Sequence, residues 1–174
     1  MLETFNLMLL KKDGGGFVLP CTSVTWKTTR MAPVGTLQLS YLRESGVKVD
    51  MGDQISLGID NTKDNTNPPL IFTGTVFRAD YTQDSLIKVT AYDNLRYLKA
   101  SSSYIWEKET LSQKLVEICK EYSLEMGEIV DTGLAITEAY ESKGILDMLM
   151  TAMLETNSKT GVLHNLFTDG EGRI

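Results

Sequence analysis

The stretch Gln54–Asp60, which reads QISLGID, decides the fold class of this 174-residue chain. Its apolar residues Ile55, Leu57 and Ile59 alternate with polar residues or glycine. Because successive side chains of a strand point to opposite faces of a sheet, this alternation predicts a strand with one buried face. The residues directly before it, 51–53, predict a turn.

Similar extended runs lie on both sides of this strand, at residues 5–10, 17–28, 36–42, 70–81 and 86–92. Residues 13–16, Asp-Gly-Gly-Gly, predict a hairpin turn between the first two runs, because glycine accepts the positive φ that tight turns require. Short strands joined by short turns predict a closed or nearly closed antiparallel barrel over residues 1–100. The polar stretch 61–69, which ends in two prolines, predicts an exposed and mobile loop.

After Tyr92 the apolar spacing becomes helical, and residues 101–174 predict a small α/β domain. Asp93 is expected to cap a helical turn, residues 101–103 to form a linker, and residues 104–106 to be extended. Thr110 and Gln113 match a capping box at the start of a helix over 110–123. A second helix is expected over 142–157, then a strand over 162–167 and a turn over 168–172, so that both helices pack on a small sheet. Because the chain stops just after that turn, we expect further chain beyond Ile174.

Composition narrows the function classes. The net charge of −6 argues against nucleic-acid binding, in which Lys and Arg neutralise phosphates. No apolar run approaches the roughly 18 residues of a membrane span. The N-terminus lacks the features of a signal peptide, which predicts synthesis in the cytoplasm.

The residue types that carry chemistry are sparse, and the sequence predicts no catalytic, cofactor-binding or metal site. Cys21 and Cys119 are expected to be reduced thiols, although spacing alone leaves a disulfide open. The single histidine, His164, has no ligand cluster near it in sequence and is expected to have a packing or surface role. The glycines at 14–16 are followed by an extended run rather than a helix, so they do not predict a phosphate cradle.

The sequence does not decide the roles of two groups of apolar residues. Met148, Met150 and Met153 are expected to fill the core, with an adaptable binding surface as the alternative. Trp26 and Trp106 suit either a core or an interface, and the sequence does not separate the two.

From about residue 70 onward the chain resembles the baseplate hub proteins of phage-like contractile tails. These hubs occur in defective prophages and tail-derived bacteriocins, and they are related to the late-control-D and type VI spike proteins. The resemblance is carried by the runs 71–77 and 86–99, the latter with Ala-Tyr-Asp before a helical turn, and by residues 110–113, 127–129, 142–153 and 169–170. It is weakest over residues 1–50.

The resemblance implies a mainly β, α+β chain: a barrel like that of a tail-tube subunit over 1–100, then a small α/β domain over 101–174. It implies a non-enzymatic adapter between tail tube and spike, made in the bacterial cytoplasm and incorporated in a virion or tail particle. Its partners would be the tube protein, the spike, other baseplate proteins and two further copies in a trimer. The resemblance also implies a second barrel further along the chain, beyond Ile174. The alternative is a cell-wall-binding or cell-wall-degrading tail module, for which the sequence shows no nucleophile elbow or ligand cluster.

Overall fold

The structure is a computed structural model that describes residues 4–60, 69–81 and 85–174. The chain forms two compact units. The first extends to Asp93 and also includes Thr168–Gly172, and the second comprises Asn94–Phe167 and Arg173–Ile174. The division therefore comes a few residues before the predicted boundary, and the chain returns to its first unit near its end. Apart from Pro69, the predicted loop 61–69 lies outside the described residues.

The first unit is built on one seven-stranded sheet in which every pair of neighbours is antiparallel. Its strands are β1 (Thr4–Leu10), β2 (Gly16–Val18), β3 (Cys21–Thr29), β4 (Ala32–Leu42), β5 (Gln54–Asp60), β6 (Leu70–Tyr81) and β7 (Leu86–Tyr92). They lie in the order β2-β1-β5-β6-β7-β4-β3. A short 3-10 helix, Arg43–Ser45, follows β4. The bounds predicted for β5, β6 and β7 are confirmed, and the predicted run 17–28 is two strands interrupted at Pro20.

The period-two alternation of these strands sends one set of side chains to a single core. Residues of five strands form one buried cluster, together with Leu19 and Val49 from connecting segments. The strand members are Leu7, Leu9, Leu37, Leu39, Tyr41, Ile55, Leu57, Phe72, Val76, Ile87, Val89 and Ala91. Because side chains from distant strands of one face meet in one cluster, the sheet curves around its own inner face.

The sheet does not close, and the predicted barrel is wrong in this respect. The described strands leave β2 and β3 as its two edges. Closure would have to pair these two strands. In a run of seven antiparallel strands the first and last point the same way, so the closing pair would be parallel in an otherwise antiparallel sheet. β2 also offers only 3 residues to such a pair. The observed architecture is an open, curled antiparallel sheet.

The second unit contains a two-stranded antiparallel ribbon and two helices. The 3-10 helix Asn94–Lys99 leads into β8 (Ser101–Thr110), which is followed by α1 (Leu111–Glu121), β9 (Ala135–Gly144) and α2 (Ile145–Thr160). Thr110 and Gln113 form the predicted capping box at the start of α1. Helix α2 ends where Gly161 adopts a positive φ of 71°, a conformation that glycine takes without strain.

Three predictions for this unit are wrong, and one missed strand explains two of them. The sequence analysis did not predict β9, which pairs with β8. Residues 101–103 are therefore paired strand rather than linker, and α2 begins at Ile145 because the strand continues to Gly144. Residues 162–167 do not belong to a strand. The sheet of this unit is the β8–β9 ribbon.

Candidate functional site

The unpaired edge of β3 is the first candidate surface for contact with another protein. β3 pairs with β4 on one side, and no described strand lies along its other side. Val24 and Trp26 lie opposite the buried residues Leu39 and Leu37, so they belong to the inner face. Trp26 is nevertheless 43% exposed. An exposed tryptophan on a strand with free backbone groups is typical of a protein interface.

The β2 edge is shorter and more apolar. Val18 lies directly opposite Met8 of β1 on the outer face, and the two side chains are 67% and 48% exposed. Phe17 and Leu10 are also about half exposed. None of the 3 residues of β2 is charged. Exposed apolar side chains grouped on neighbouring strands favour docking, because burying their surface is favourable and no charge opposes it.

A third exposed feature lies in the second unit, between Gly161 and Phe167. Val162, Leu163 and Phe167 are exposed there. The Asn157 side chain holds the segment: its Oδ1 accepts from the backbone N of His164 at 2.8 Å, and its Nδ2 donates to the backbone O of His164 at 3.3 Å. The segment is thus held by a side-chain amide in place of a strand partner.

The most concentrated group of ionisable side chains is buried beneath the β8–β9 ribbon. Lys114 of α1 is 1% exposed and pairs with Glu138 of β9. Glu138 also accepts a hydrogen bond from the hydroxyl of Tyr140 at 2.7 Å, through its other oxygen. The ammonium of Lys114 lies 5.2 Å from the centre of the Trp106 ring. Every charged group here therefore has a partner of complementary character, as buried charges require.

Two further carboxylates of α1 bind the aromatic residues of β8. The indole N–H of Trp106 donates to Glu117 at 2.8 Å, and the hydroxyl of Tyr104 donates to Glu121 at 2.6 Å. The Tyr104 and Trp106 rings stack with centres 4.9 Å apart. Burial raises the pKa of Tyr104, and its bond to Glu121 raises it further. These two hydrogen bonds join α1 to β8.

A second ionic group, at Lys11, ties two turns of the first unit together. The Lys11 ammonium lies 2.6 Å from the buried Asp53 carboxylate and 3.0 Å from that of Asp50. Desolvation lowers the pKa of Lys11, but the hydrogen bonds to Asp53 and Asp50 outweigh it, and the pKa is raised. The same Asp53 oxygen accepts from the backbone N of Asp50 at 2.8 Å, which makes this a structural turn.

The residues that the sequence analysis singled out are dispersed. Cys21 and Cys119 are free thiols in different units. The His164 ring lies 3.0 Å from Asn157. Gly14 and Gly15 lie in the turn between β1 and β2, and Gly16 is the first residue of β2. Met148 and Met153 are buried in the core, and Met150 is half-buried. Trp106 is a core residue, whereas Trp26 lies exposed on an edge strand. The sequence left open whether each tryptophan belongs to a core or an interface, and the two differ in this respect.

Two general features of the described residues bear on function. Across residues 4–60, 69–81 and 85–174, no three His, Cys, Asp or Glu side chains are placed to hold a metal ion together. In those same ranges no helix has the length and apolar character needed to cross a membrane.

Residues 24–174 match a family model described as YQBQ-like. The chain belongs to the YQBQ-like family. The match begins within β3 and includes both units, which supports reading them as parts of one family pattern. No curated protein matches the chain.

A solved structure similar to this YQBQ-like chain is the tail protein from Neisseria meningitidis MC58. The two superpose with a TM-score of 0.64 at 9% sequence identity. The match covers 97% of this chain and 50% of the tail protein, so this chain spans half the length of that relative. At this identity the likeness shows a shared fold.

Proposed function

We propose that this YQBQ-like chain is a structural component of a phage or phage-like tail. More specifically, we propose that it is the baseplate hub, which joins the tail tube to the spike as three copies. The observation that carries the proposal is the open sheet of the first unit, whose two edges keep exposed aromatic and apolar side chains. The fold shared with a tail protein supports the same conclusion.

The strand directions constrain how copies could meet in a ring. A heterologous contact repeated by rotation closes into a ring. If the rotation axis runs along the strands, all copies point the same way, and β3 of one copy meets β2 of the next in parallel. Since β2 offers only 3 residues, we expect side chains such as Trp26 and Val18 to supply much of the contact. Backbone pairing would then make the smaller contribution.

The proposal assigns no chemistry to the chain. The ionisable groups that the structure brings together, at Lys114 and at Lys11, are mutually paired and hold elements in place. A cell-wall-degrading role would need a nucleophile, a metal or a carboxylate pair open to substrate. Incubating the purified chain with peptidoglycan tests this directly, and we expect no release of soluble fragments.

Tail production in cells tests the structural role. We expect a deletion strain to make no complete tails and the parent chain to restore them. Trp26→Glu should place a charge on the β3 edge without unfolding the chain, and should reduce complete tails by about tenfold or more, because an unpaired charge is costly to bury in an interface. Ile105→Glu is the matched control, since Ile105 is 75% exposed and belongs to β8 rather than to either edge strand. Normal tails from the deletion strain would refute the proposal.

A further inference from the structure

The first unit contains a short segment from far along the chain. Thr168–Gly172 belongs to it, although the preceding 74 or so residues belong to the second unit. The segment forms a tight turn, in which the N–H of Gly172 donates to the carbonyl of Asp169 at 3.0 Å. The N–H of Glu171 also donates to the Asp169 carboxylate, at 2.9 Å. The turn is thus shaped by its own residues before any contact with the sheet.

The turn is fixed to the sheet at two places. The Thr168 hydroxyl donates to the Asp93 carboxylate at 2.9 Å. The Thr73 hydroxyl of β6 donates to the carbonyl of Gly170 at 2.8 Å and lies 3.1 Å from the Ser56 hydroxyl of β5. These bonds join residues 75 and 97 positions apart.

The Asp93 carboxylate accepts hydrogen bonds from both the turn and the sheet. Its side chain is 2% exposed, and the oxygen that accepts from Thr168 also accepts from the backbone N of Gly35 at 2.7 Å. Its backbone N donates to the Gly35 carbonyl at 3.1 Å. A Cβ at position 35 would lie 2.6 Å from this carboxylate oxygen, so any other residue there would displace the Asp93 side chain.

Gly170 lies too close to the sheet for any other residue. A Cβ at this position would collide with the backbone carbonyl of Leu70. The pairing of β5 with β6 is irregular at the same place, between Leu57 and Gly58. The turn therefore packs on β6 where its ladder is interrupted.

We propose that Thr168–Gly172 is a clasp, which packs on the outer face of the first unit and holds β6 at its irregular pairing with β5. Asp93 and Gly170 are the positioning residues of the clasp. Residues 168–172 follow most of the second unit in sequence. The clasp can therefore cover the outer face of the sheet at Thr73 only after that part of the chain has been synthesised. The clasp also covers that part of the outer face, which leaves the regions near β2 and β3 as surfaces for other proteins.

Hydrogen exchange of the whole chain tests the clasp. We expect Gly170→Ala to raise exchange of the β6 amides at 70–73 by about tenfold or more, and to leave the α1 amides at 111–121 unchanged, because loss of one contact set opens the structure locally. Thr168→Val keeps the shape of the side chain and removes its donor, so we expect a smaller rise at the same amides. Gly16→Ala is the matched control, since nothing lies within 4 Å of a Cβ there.

The results that would overturn the clasp are equally specific. Unchanged exchange at 70–73 in both the Gly170 and the Thr168 variants would show that the turn does not hold β6. Faster exchange across both units in the Thr168 variant would show a general fault in folding rather than a local clasp. The test does not depend on tail assembly, so it remains valid whatever the outcome for the proposed function.

Discussion

The sheets of the two units of this chain bury different kinds of side chain. In the first, Ile55, Leu57 and their counterparts on other strands alternate strictly, and their apolar side chains form one cluster. In the second, the β8–β9 ribbon buries the rings of Trp106 and Tyr104 and the Lys114–Glu138 ion pair. The first unit has edge strands that are unpaired among the described residues, whereas the buried charges of the β8–β9 ribbon are paired within the chain.

This contrast shows what each kind of interior demands. An apolar core needs the right size and pattern, and it tolerates an open boundary because no polar group is left unpaired at its centre. An interior with buried charges needs every partner in place, since a lost partner leaves a desolvated charge. We therefore expect the first unit to be sensitive to added charge, and the second to be sensitive to the removal of one.

The largest effect is expected from a charge in the apolar core. Ile55→Asp should cost several kcal/mol and unfold the first unit, because position 55 is fully buried and offers an ionised carboxylate no partner. Gln54→Asp, on the exposed face of the same strand, is the matched control and should change stability by less than about 0.5 kcal/mol. Fluorescence of Trp26 in a Trp106→Phe background reports the first unit. Equal melting of the two Asp variants would contradict the one-sided core.

The second largest effect concerns the buried ion pair of the ribbon. Lys114→Met should cost about 3–5 kcal/mol, because it leaves the Glu138 carboxylate buried without its cation. Adding Glu138→Leu should recover much of this loss. Chemical denaturation followed by Trp106 fluorescence, in a Trp26→Phe background, measures both.

An exposed ion pair provides the control for that experiment. Lys159→Met removes the partner of Glu155 in a solvent-exposed pair on α2, and should cost less than about 0.5 kcal/mol. If Lys114→Met were as mild as Lys159→Met, the ribbon would not depend on its charges, and the contrast between the units would fail.

The stability of the chain at alkaline pH tests the burial of Tyr41 in the first unit. Burial raises the pKa of Tyr41 to about 12, from 10.0 for a free tyrosine. Since the folded chain holds this proton more tightly than the unfolded chain, stability is retained below pH 10 and is lost as the pH rises towards 12. Tyr41→Phe should make the first unit less dependent on pH in this window. A parent chain whose stability is flat from pH 10 to 12 would contradict the burial of Tyr41.

The smallest effect concerns the reactivity of the two thiols. Burial raises the pKa of the Cys119 thiol to about 11, so it should stay unmodified at neutral pH in the folded chain. Cys21, half-buried on the β3 edge, should react first. Alkylation followed by mass spectrometry should find one modified cysteine in the native chain and two after denaturation. Equal rates at the two sites would show that the second unit opens readily.

The same contrast explains which parts of the fold the sequence could reveal. The bounds of β5, β6 and β7 were predicted to the residue; the apolar residues of β5 alternate with polar residues or glycine, and those of β7 place Ile87, Val89 and Ala91 on one face. β9 was missed because its inward positions are Ile136, Glu138 and Tyr140, and a glutamate does not read as a core residue. Glu138 lies in the interior because it pairs with Lys114, which is 24 positions away in sequence.

The candidate surfaces were less accessible to sequence reasoning. Trp26 and Trp106 look alike in sequence, and their difference depends on which strand became an edge. The open sheet itself depends on strand order, which no local pattern determines. The clasp joins residues up to 97 positions apart, and its glycine is explained only by the carbonyl of Leu70 beside it.

A cryo-electron microscopy map of the intact tail tests the central claim most directly, namely that neighbouring chains complete the first unit. The account predicts the seven-stranded sheet at the junction of tube and spike, with the β3 edge and Trp26 against another chain. A particle that lacks this chain, or one in which the β3 edge faces solvent, would contradict the account.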